Sequence, residues 1–362
     1  LYSGAICGME QNNNQEIVES IIGAEVLYES MMKCKKGVLW KDSVAHYYLN
    51  GIEETLKLSQ QLRDNIYVPR PPKHFKITHP KERDVVSIAF RDRVYQRSLN
   101  DNQIYPAMTQ SLIKTNCACQ KGKGTDVALK YLEDYLKKAY RKHGTNFYVL
   151  QGDIHKYYDS MHHEEAENCF KRYLHPEVYN RAVNVLREQY TGETGYNPGS
   201  QMVQIAGISV LSPLDHFIKE KLRIKWYMRY MDDFILLHED KEYLEYCYAE
   251  IEKFLARHHF KPHPKKTKIY NVKKGIKFLG FTHHITEMEK VIRIVDPQNV
   301  KSERKKLRRQ VILVKNGLLT KKQVGDGYEA WKAHVKRGNS YKLLLSMDEY
   351  YKELWEELLQ CV

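Results

Sequence analysis

The sequence predicts an α+β fold in which a small antiparallel sheet is covered by helices. Three observations predict it. Phe147-Tyr148-Val149-Leu150-Gln151-Gly152-Asp153-Ile154 is a short apolar run of strand length. Trp226 to Leu237 divides at Asp232-Asp233 into two further apolar runs, which reads as a hairpin with acids at its tip. Segments with apolar residues at helical spacing lie before, between and after these strands.

Residues 16 to 65 read as helices, with Ile17, Ile21, Val44, Tyr48, Ile52, Leu56 and Leu62 on the helical period. Tyr67-Val68-Pro69-Arg70-Pro71-Pro72 ends them, because proline removes a helix donor and forces extended backbone. A basic, partly extended stretch follows from Lys73 to Asp92. Asp126 to Lys142 returns to helical spacing and stops at Gly144, with Thr125 placed to cap its start. Helices are expected over Glu164 to Tyr190, Gln201 to Leu222 and Lys241 to His259, with a loop at Gly192 to Gly199. The last 70 or so residues look wholly helical. The eight residues before Met9, a candidate natural start, are left out of this reading.

With 58 Lys and Arg against 45 Asp and Glu, the 362-residue chain carries a formal charge of +13, which favours a phosphate-bearing partner. The 27 tyrosines suit stacking beside a polynucleotide, and suit half-buried sheets equally well. Seven scattered cysteines form no CxxC pair, which predicts a reducing cytoplasm and no zinc site. No apolar stretch reaches the roughly 20 residues of a membrane span. The expected location is cytoplasmic, with no membrane partner.

Carboxylates at strand ends are costly unless solvated, paired or bound to cations. Asp153 ends one predicted strand, and Asp232 and Asp233 follow it by 79 and 80 residues at the tip of a hairpin. If the strands are neighbours the three acids converge, and hard cations would offset their repulsion. Two magnesium ions about 4 Å apart would activate a hydroxyl and stabilise a leaving oxygen in phosphoryl transfer. An Asp-Asp pair in a turn is by itself ordinary turn chemistry.

Context decides between these. Tyr230-Met231-Asp232-Asp233 between apolar strands, after Asp153-Ile154-His155-Lys156-Tyr157-Tyr158-Asp159, resembles motifs C and A of reverse transcriptases. Lys81-Glu82-Arg83-Asp84 and Arg91-Asp92-Arg93-Val94-Tyr95-Gln96 resemble the fingers motifs of bacterial group II intron-like enzymes. Gln120 to Thr125 resembles their glycine turn. Pro264 to Tyr270 and Lys277-Phe278-Leu279-Gly280-Phe281 look like motif D and a primer-grip hairpin. Lys301, Arg304, Lys305, Lys306, Arg308 and Arg309 form a basic helical face similar to a thumb helix, and Gly327 to Tyr341 is similar to thumb ends of diversity-generating retroelement enzymes.

Motif B is the departure. Ile208-Ser209-Val210-Leu211-Ser212-Pro213 offers a Ser-Pro close to the hairpin. Pro198-Gly199-Ser200-Gln201-Met202-Val203-Gln204 fits the spacing better and is preferred, with Ser212-Pro213 later on the same helix.

The resemblance, to bacterial reverse transcriptases of group II intron-like, diversity-generating retroelement-like or defence-associated type, implies a right-hand polymerase. Its parts would be an N-terminal helical segment of the fingers at 9–75, fingers at 76–147, a palm at 148–288 with fingers helices inserted at about 164–195, and a helical thumb at 289–362. It implies catalysis and metal binding by Asp153, Asp232 and Asp233, with the Ile154 backbone carbonyl as a further ligand of two Mg2+ ions, or of Mn2+ in their place. Lys81, Arg83, Tyr158, Gly199 and Gln204 would bind the nucleotide, Tyr158 standing under the sugar to exclude a 2′-hydroxyl. Tyr230, Met231, Lys277, Gly280, Arg304 and Arg308 would bind primer and template. The implied partners are an RNA template, a DNA or RNA primer, dNTPs and a non-coding RNA, with a second copy or an accessory protein. Two other readings are an RNA-dependent RNA polymerase, separated by dNTP against NTP use, and a silent RNA-binding scaffold, which magnesium-dependent incorporation would exclude.

Overall fold

A computed structural model describes residues 14–77 and 82–360. Lys81, with its expected nucleotide contact, lies outside the described residues, as does the side chain of Arg83.

The N-terminal part is helical: residues 14–22, then α1 (Ala24–Cys34), α2 (Asp42–Leu49) and α3 (Gly51–Arg63). Leu27, Met31, Val44, Tyr47, Leu58 and Leu62 face inward. Ile52 and Leu56 keep the helical period but are 68% and 54% exposed. Period identifies a helix, and only the neighbouring elements decide which stripe is covered. After the prolines, β1 (Lys73–Ile77) pairs with β2 (Arg83–Ser87) as an antiparallel ribbon. Arg91 to Gln96 lie on helix α4 (Phe90–Leu99). There the buried Asp92 accepts hydrogen bonds from the Tyr67 hydroxyl and the Arg70 amide, both at 2.9 Å, tying the proline segment to the helix.

A longer helix, α5 (Thr125–His143), ends at Gly144, whose φ of +58° suits glycine. Gly124 is its N-cap and Thr125 its first helical residue, with no side-chain cap; the glycine took the cap because its φ of +141° is open only to glycine.

The central sheet has four antiparallel strands in the order β4-β5-β3-β6: β3 (Tyr148–Gly152), β4 (Trp226–Tyr230), β5 (Asp233–His238) and β6 (Lys268–Asn271). Alternation along the strands sends Leu150, Tyr227, Phe234 and Leu236 into one core with the N-terminal helices. Val149, Trp226, Met228, Ile235 and Leu237 enter a second core with α5 and the C-terminal helices. The sheet is therefore covered on both faces, and its strands read as continuous apolar runs.

Gly152 pairs with Phe234 across β3 and β5, and a Cβ on it would stand 2.0 Å from the Phe234 ring. Gly152→Ala should cost about 1–3 kcal/mol by overpacking, read as a lowered melting temperature. An unchanged melting curve would show that the ring yields.

Two helices follow β3 and its loop, α6 (His163–Tyr173) and α7 (Pro176–Gln189). The single helix expected over Gln201 to Leu222 is broken. α8 (Gln201–Val210) ends at Leu211, and α9 (Ser212–His216) restarts with Pro213 in its first turn, where a missing N–H does no harm. α10 (Lys241–Arg257) covers the sheet between β5 and β6. A second sheet, β7 (Ile276–Phe278), β8 (Phe281–Ile285) and β9 (Val291–Val295), precedes α11 (Pro297–Lys315), α12 (Lys321–Val335) and α13 (Tyr341–Gln360). The all-helical stretch thus starts after β9, whose short apolar run pairs with β8. Among the described residues no helix is long and apolar enough to cross a membrane.

Candidate active site

Because β3 and β5 are antiparallel, the end of β3 lies beside the start of β5, with Gly152 opposite Phe234 and Tyr230 opposite Asp233. Asp153, one residue past β3, and the Asp232-Asp233 tip therefore meet at one end of the sheet. The tip is tight: Met231 has φ +57°, a left-handed conformation that a non-glycine residue adopts only where its surroundings hold it.

Burial first, then the neighbouring Asp232 and Asp153, pushes the Asp233 carboxyl well above the usual carboxylate range. Burial raises Asp232 as well, with the Asp153 charge adding to it. The Lys266 ammonium stands 2.7 Å from Asp153 Oδ2. Among the described residues, no group of three or more His, Cys, Asp or Glu is spaced as a finished metal cage. The donor set is nevertheless all hard carboxylate oxygen, crowded enough to resist ionisation, and a hard divalent cation would relieve that crowding. The chemistry fits, with Lys266 holding one of the two Asp153 oxygens. Ile154 is buried and bridges Pro262.

Tyr158 lies in a single turn, Tyr157–Ser160, entered through Lys156 at φ +47°. Its ring packs on α8 at Gly207, where a Cβ would stand 2.7 Å from Tyr158 Oη and 3.0 Å from Cε1 and Cζ. Its hydroxyl is buried with no hydrogen-bond partner. The adjacent Tyr157 hydroxyl donates to the Gly207 carbonyl. Asp232 is near enough to add to the upward push that burial exerts on the Tyr158 hydroxyl.

Gly199 lies by the Val86 carbonyl of β2, and the Gln204 amide donates to the Pro198 carbonyl at 2.7 Å. The helix runs inward from Ser200, and Gly207, two turns along, meets Tyr158. Tyr230 packs edge-on against Phe278, and the Met231 sulfur is 3.6 Å from Cys119 Sγ. Lys277, on β7, is exposed with its ammonium 3.9 Å from Asp296. Gly280 turns the β7–β8 hairpin at φ +86° against His334 and lines a cleft of about 830 Å3 with Lys306, Arg309 and Trp331. Arg304 and Arg308 both lie over the Tyr350 ring, at 5.0 and 5.6 Å.

Sequence reasoning missed Gly207 and gave Lys266, Arg229 and Asp215 no role, although each stood inside a quoted segment. Arg229 falls on the same face of β4 as the core residue Tyr227, and nothing local in the strand signals that a cation there has a buried partner.

An antiparallel sheet with acids at one strand end and at the adjoining hairpin tip, covered by helices and followed by a helical unit, is the arrangement of a right-hand polymerase fold. The family model described as reverse transcriptase (RNA-dependent DNA polymerase) matches residues 76–283. The chain belongs to the reverse transcriptase family. No curated protein matches it. Solved structures similar to it include telomerase from Candida albicans in complex with a TWJ fragment of telomeric RNA, at 12% identity and TM-score 0.46, over 85% of this chain and 65% of that one. Apo telomerase from Candida tropicalis matches at 12% identity and TM-score 0.43, over 60% of this chain and 47% of that one. The chain thus spans less than two thirds of the length of either.

Proposed function

We propose that this chain is an RNA-directed DNA polymerase that extends a DNA or RNA primer with dNTPs. The convergence of Asp153 with Asp232 and Asp233 at one end of the sheet carries the reading. In it the three carboxylates hold two Mg2+ ions, with the Ile154 carbonyl as a further ligand. Bound there, the ions supply activation of the primer hydroxyl and neutralisation of the departing pyrophosphate. Tyr158, seated on Gly207, closes the space a 2′-hydroxyl would need. In this reading Lys81 and Arg83 bind the triphosphate, Gly199 and Gln204 contact the incoming nucleotide, and Tyr230, Met231, Lys277 and Gly280 carry the primer end.

The fingers, palm and thumb follow the boundaries at 76, 148 and 289. The preferred biological role is copying of a dedicated non-coding RNA in a bacterial defence system, for which the motif B departure is the support, and the alternatives are a diversity-generating retroelement or a retron-type reverse transcriptase. Sequencing nucleic acid that copurifies from the native host tests it: one recurrent RNA with its complementary DNA supports the role, and heterogeneous RNA overturns it.

The activity is tested by dNTP incorporation on a primed RNA template with Mg2+, against NTPs and against a DNA template. NTP preference would replace this reading with an RNA polymerase. Arg304→Gln with Arg308→Gln should weaken primer–template binding and reduce the slope of log affinity against log salt by up to about 2, one per lost phosphate contact. An unchanged slope would leave both side chains as packing for Tyr350.

A further inference from the structure

Among the described residues Arg229 is the largest fully buried side chain, and Asp215, its partner, is equally buried at 0% exposure. The guanidinium meets the carboxylate along two edges, Nε to Oδ1 at 2.7 Å and Nη2 to Oδ2 at 2.6 Å. The Tyr227 hydroxyl donates to the same Oδ1 at 2.6 Å. Two further donors leave the pair: Nη2 bonds the Ile208 carbonyl of α8, and Nη1 bonds the Met231 carbonyl, both at 2.8 Å. The Met231 carbonyl belongs to the peptide that links Met231 to Asp232.

One planar cation therefore joins three pieces: the hairpin tip, the C-terminal half of α8, and α9, which starts at the break before Pro213. Its own strand is held as well. The Arg229 amide donates to the Thr115 carbonyl at 3.1 Å, and the Cys117 amide donates to the Arg229 carbonyl at 3.0 Å. Stability alone does not call for such a pair. Desolvating two charges costs several kcal/mol, and well-packed apolar side chains of like volume often serve a core as well or better. An apolar pair would not reach the Met231 carbonyl, and the left-handed Met231 turn would lose the charged anchor that Arg229 supplies.

We propose that Arg229 and Asp215 are positioning residues. They set the Asp232-bearing turn against α8, and so fix the distance from the metal-binding carboxylates to Gly207 and the Tyr158 ring that rests on it. The inference rests on the proposed role of Asp232. It also accounts for an acid in Ser212-Pro213-Leu214-Asp215: the break at Leu211 lets α9 turn its acid toward the hairpin.

The test is the paired apolar variant Asp215→Leu/Arg229→Met, with Arg229→Lys beside it. Melting temperature, kcat, dNTP KM and the Mg2+ concentration for half-maximal rate are measured on a primed RNA template. The double variant is expected to melt near the wild type, to lose kcat by about tenfold or more, and to need more Mg2+, because a displaced ligand of even 1 Å costs rate steeply. Arg229→Lys keeps the charge opposite Asp215 but cannot span to Met231, and should show the same Mg2+ shift at a smaller loss of kcat. Wild-type kcat and Mg2+ dependence in a folded double variant would overturn the proposal. So would a double variant that cannot fold, since the pair would then be an element of stability. Asp232→Ala, run in parallel, separates the two readings: an active Asp232→Ala enzyme sinks the polymerase site itself, whereas an inactive one beside a fully active double variant sinks only the clamp.

Discussion

Asp232→Ala and Asp233→Ala are each expected to abolish dNTP incorporation, by about a thousandfold or more, while the protein keeps its fold. The magnitude follows from the chemistry assigned to the ions: several kcal/mol of transition-state charge stabilisation is lost with a ligand, and about 4 kcal/mol is a thousandfold in rate. Fold retention follows from the environment. Burial and mutual repulsion already penalise both carboxylates, so an alanine removes an unfavourable group rather than a supporting one. The tip itself is held elsewhere, through the Met231 carbonyl on Arg229. Both variants should melt no lower than the wild type. Incorporation surviving in either, in the presence of Mg2+, would remove the three aspartates from the catalytic role. A dead variant that also melts early would leave their role undecided from rate alone, and circular dichroism on the same preparation settles which case applies.

The three acids were legible because they sit at the ends of apolar runs, and strand register converts that position into proximity. Asp153 must meet the Asp232-Asp233 tip once β3 pairs antiparallel to β5, a pairing that the sequence left as a condition and the sheet supplies. Gly207 was not legible. A glycine inside a helical stretch has no local signature, and what makes it necessary is a tyrosine 49 positions earlier, brought against it by the tertiary fold. Spacing along the chain says where the helix after Gly199 starts but not which of its turns meets the Tyr158 ring, and that turn is the one at Gly207. Arg229 and Asp215 escaped for a related reason: a charged residue on an otherwise apolar strand reads as solvent-facing, and only the second half of the pair, across the break at Leu211, makes its burial tolerable. Ile52 and Leu56 show the converse, a correct helical period whose apolar stripe the fold leaves uncovered.

Tyr158→Ala is expected to lower discrimination between deoxynucleotides and ribonucleotides by about tenfold or more, because a pocket that rejects a hydroxyl by volume loses its wall. The geometry allows a finer experiment on the same wall. The Tyr158 ring lies directly on Gly207, and a methyl group there would meet Oη at 2.7 Å and the ring carbons at 3.0 Å. Most of α8 is buried, so in Gly207→Ala the ring is expected to give way by a few tenths of an ångström, and in the proposed site that narrows the space for the sugar. The expected result is a raised dNTP KM with sugar discrimination kept or sharpened, the reverse of Tyr158→Ala. Adding Tyr158→Phe should restore much of the lost affinity. The atom nearest the new methyl is the hydroxyl, which has no hydrogen-bond partner to lose. Steady-state KM for dNTP and rNTP across Gly207→Ala, Tyr158→Phe and the double variant measures this coupling directly. Additive effects would mean that the tyrosine does not take its height from Gly207; rescue in the double variant would place the floor of the sugar site on a helix glycine.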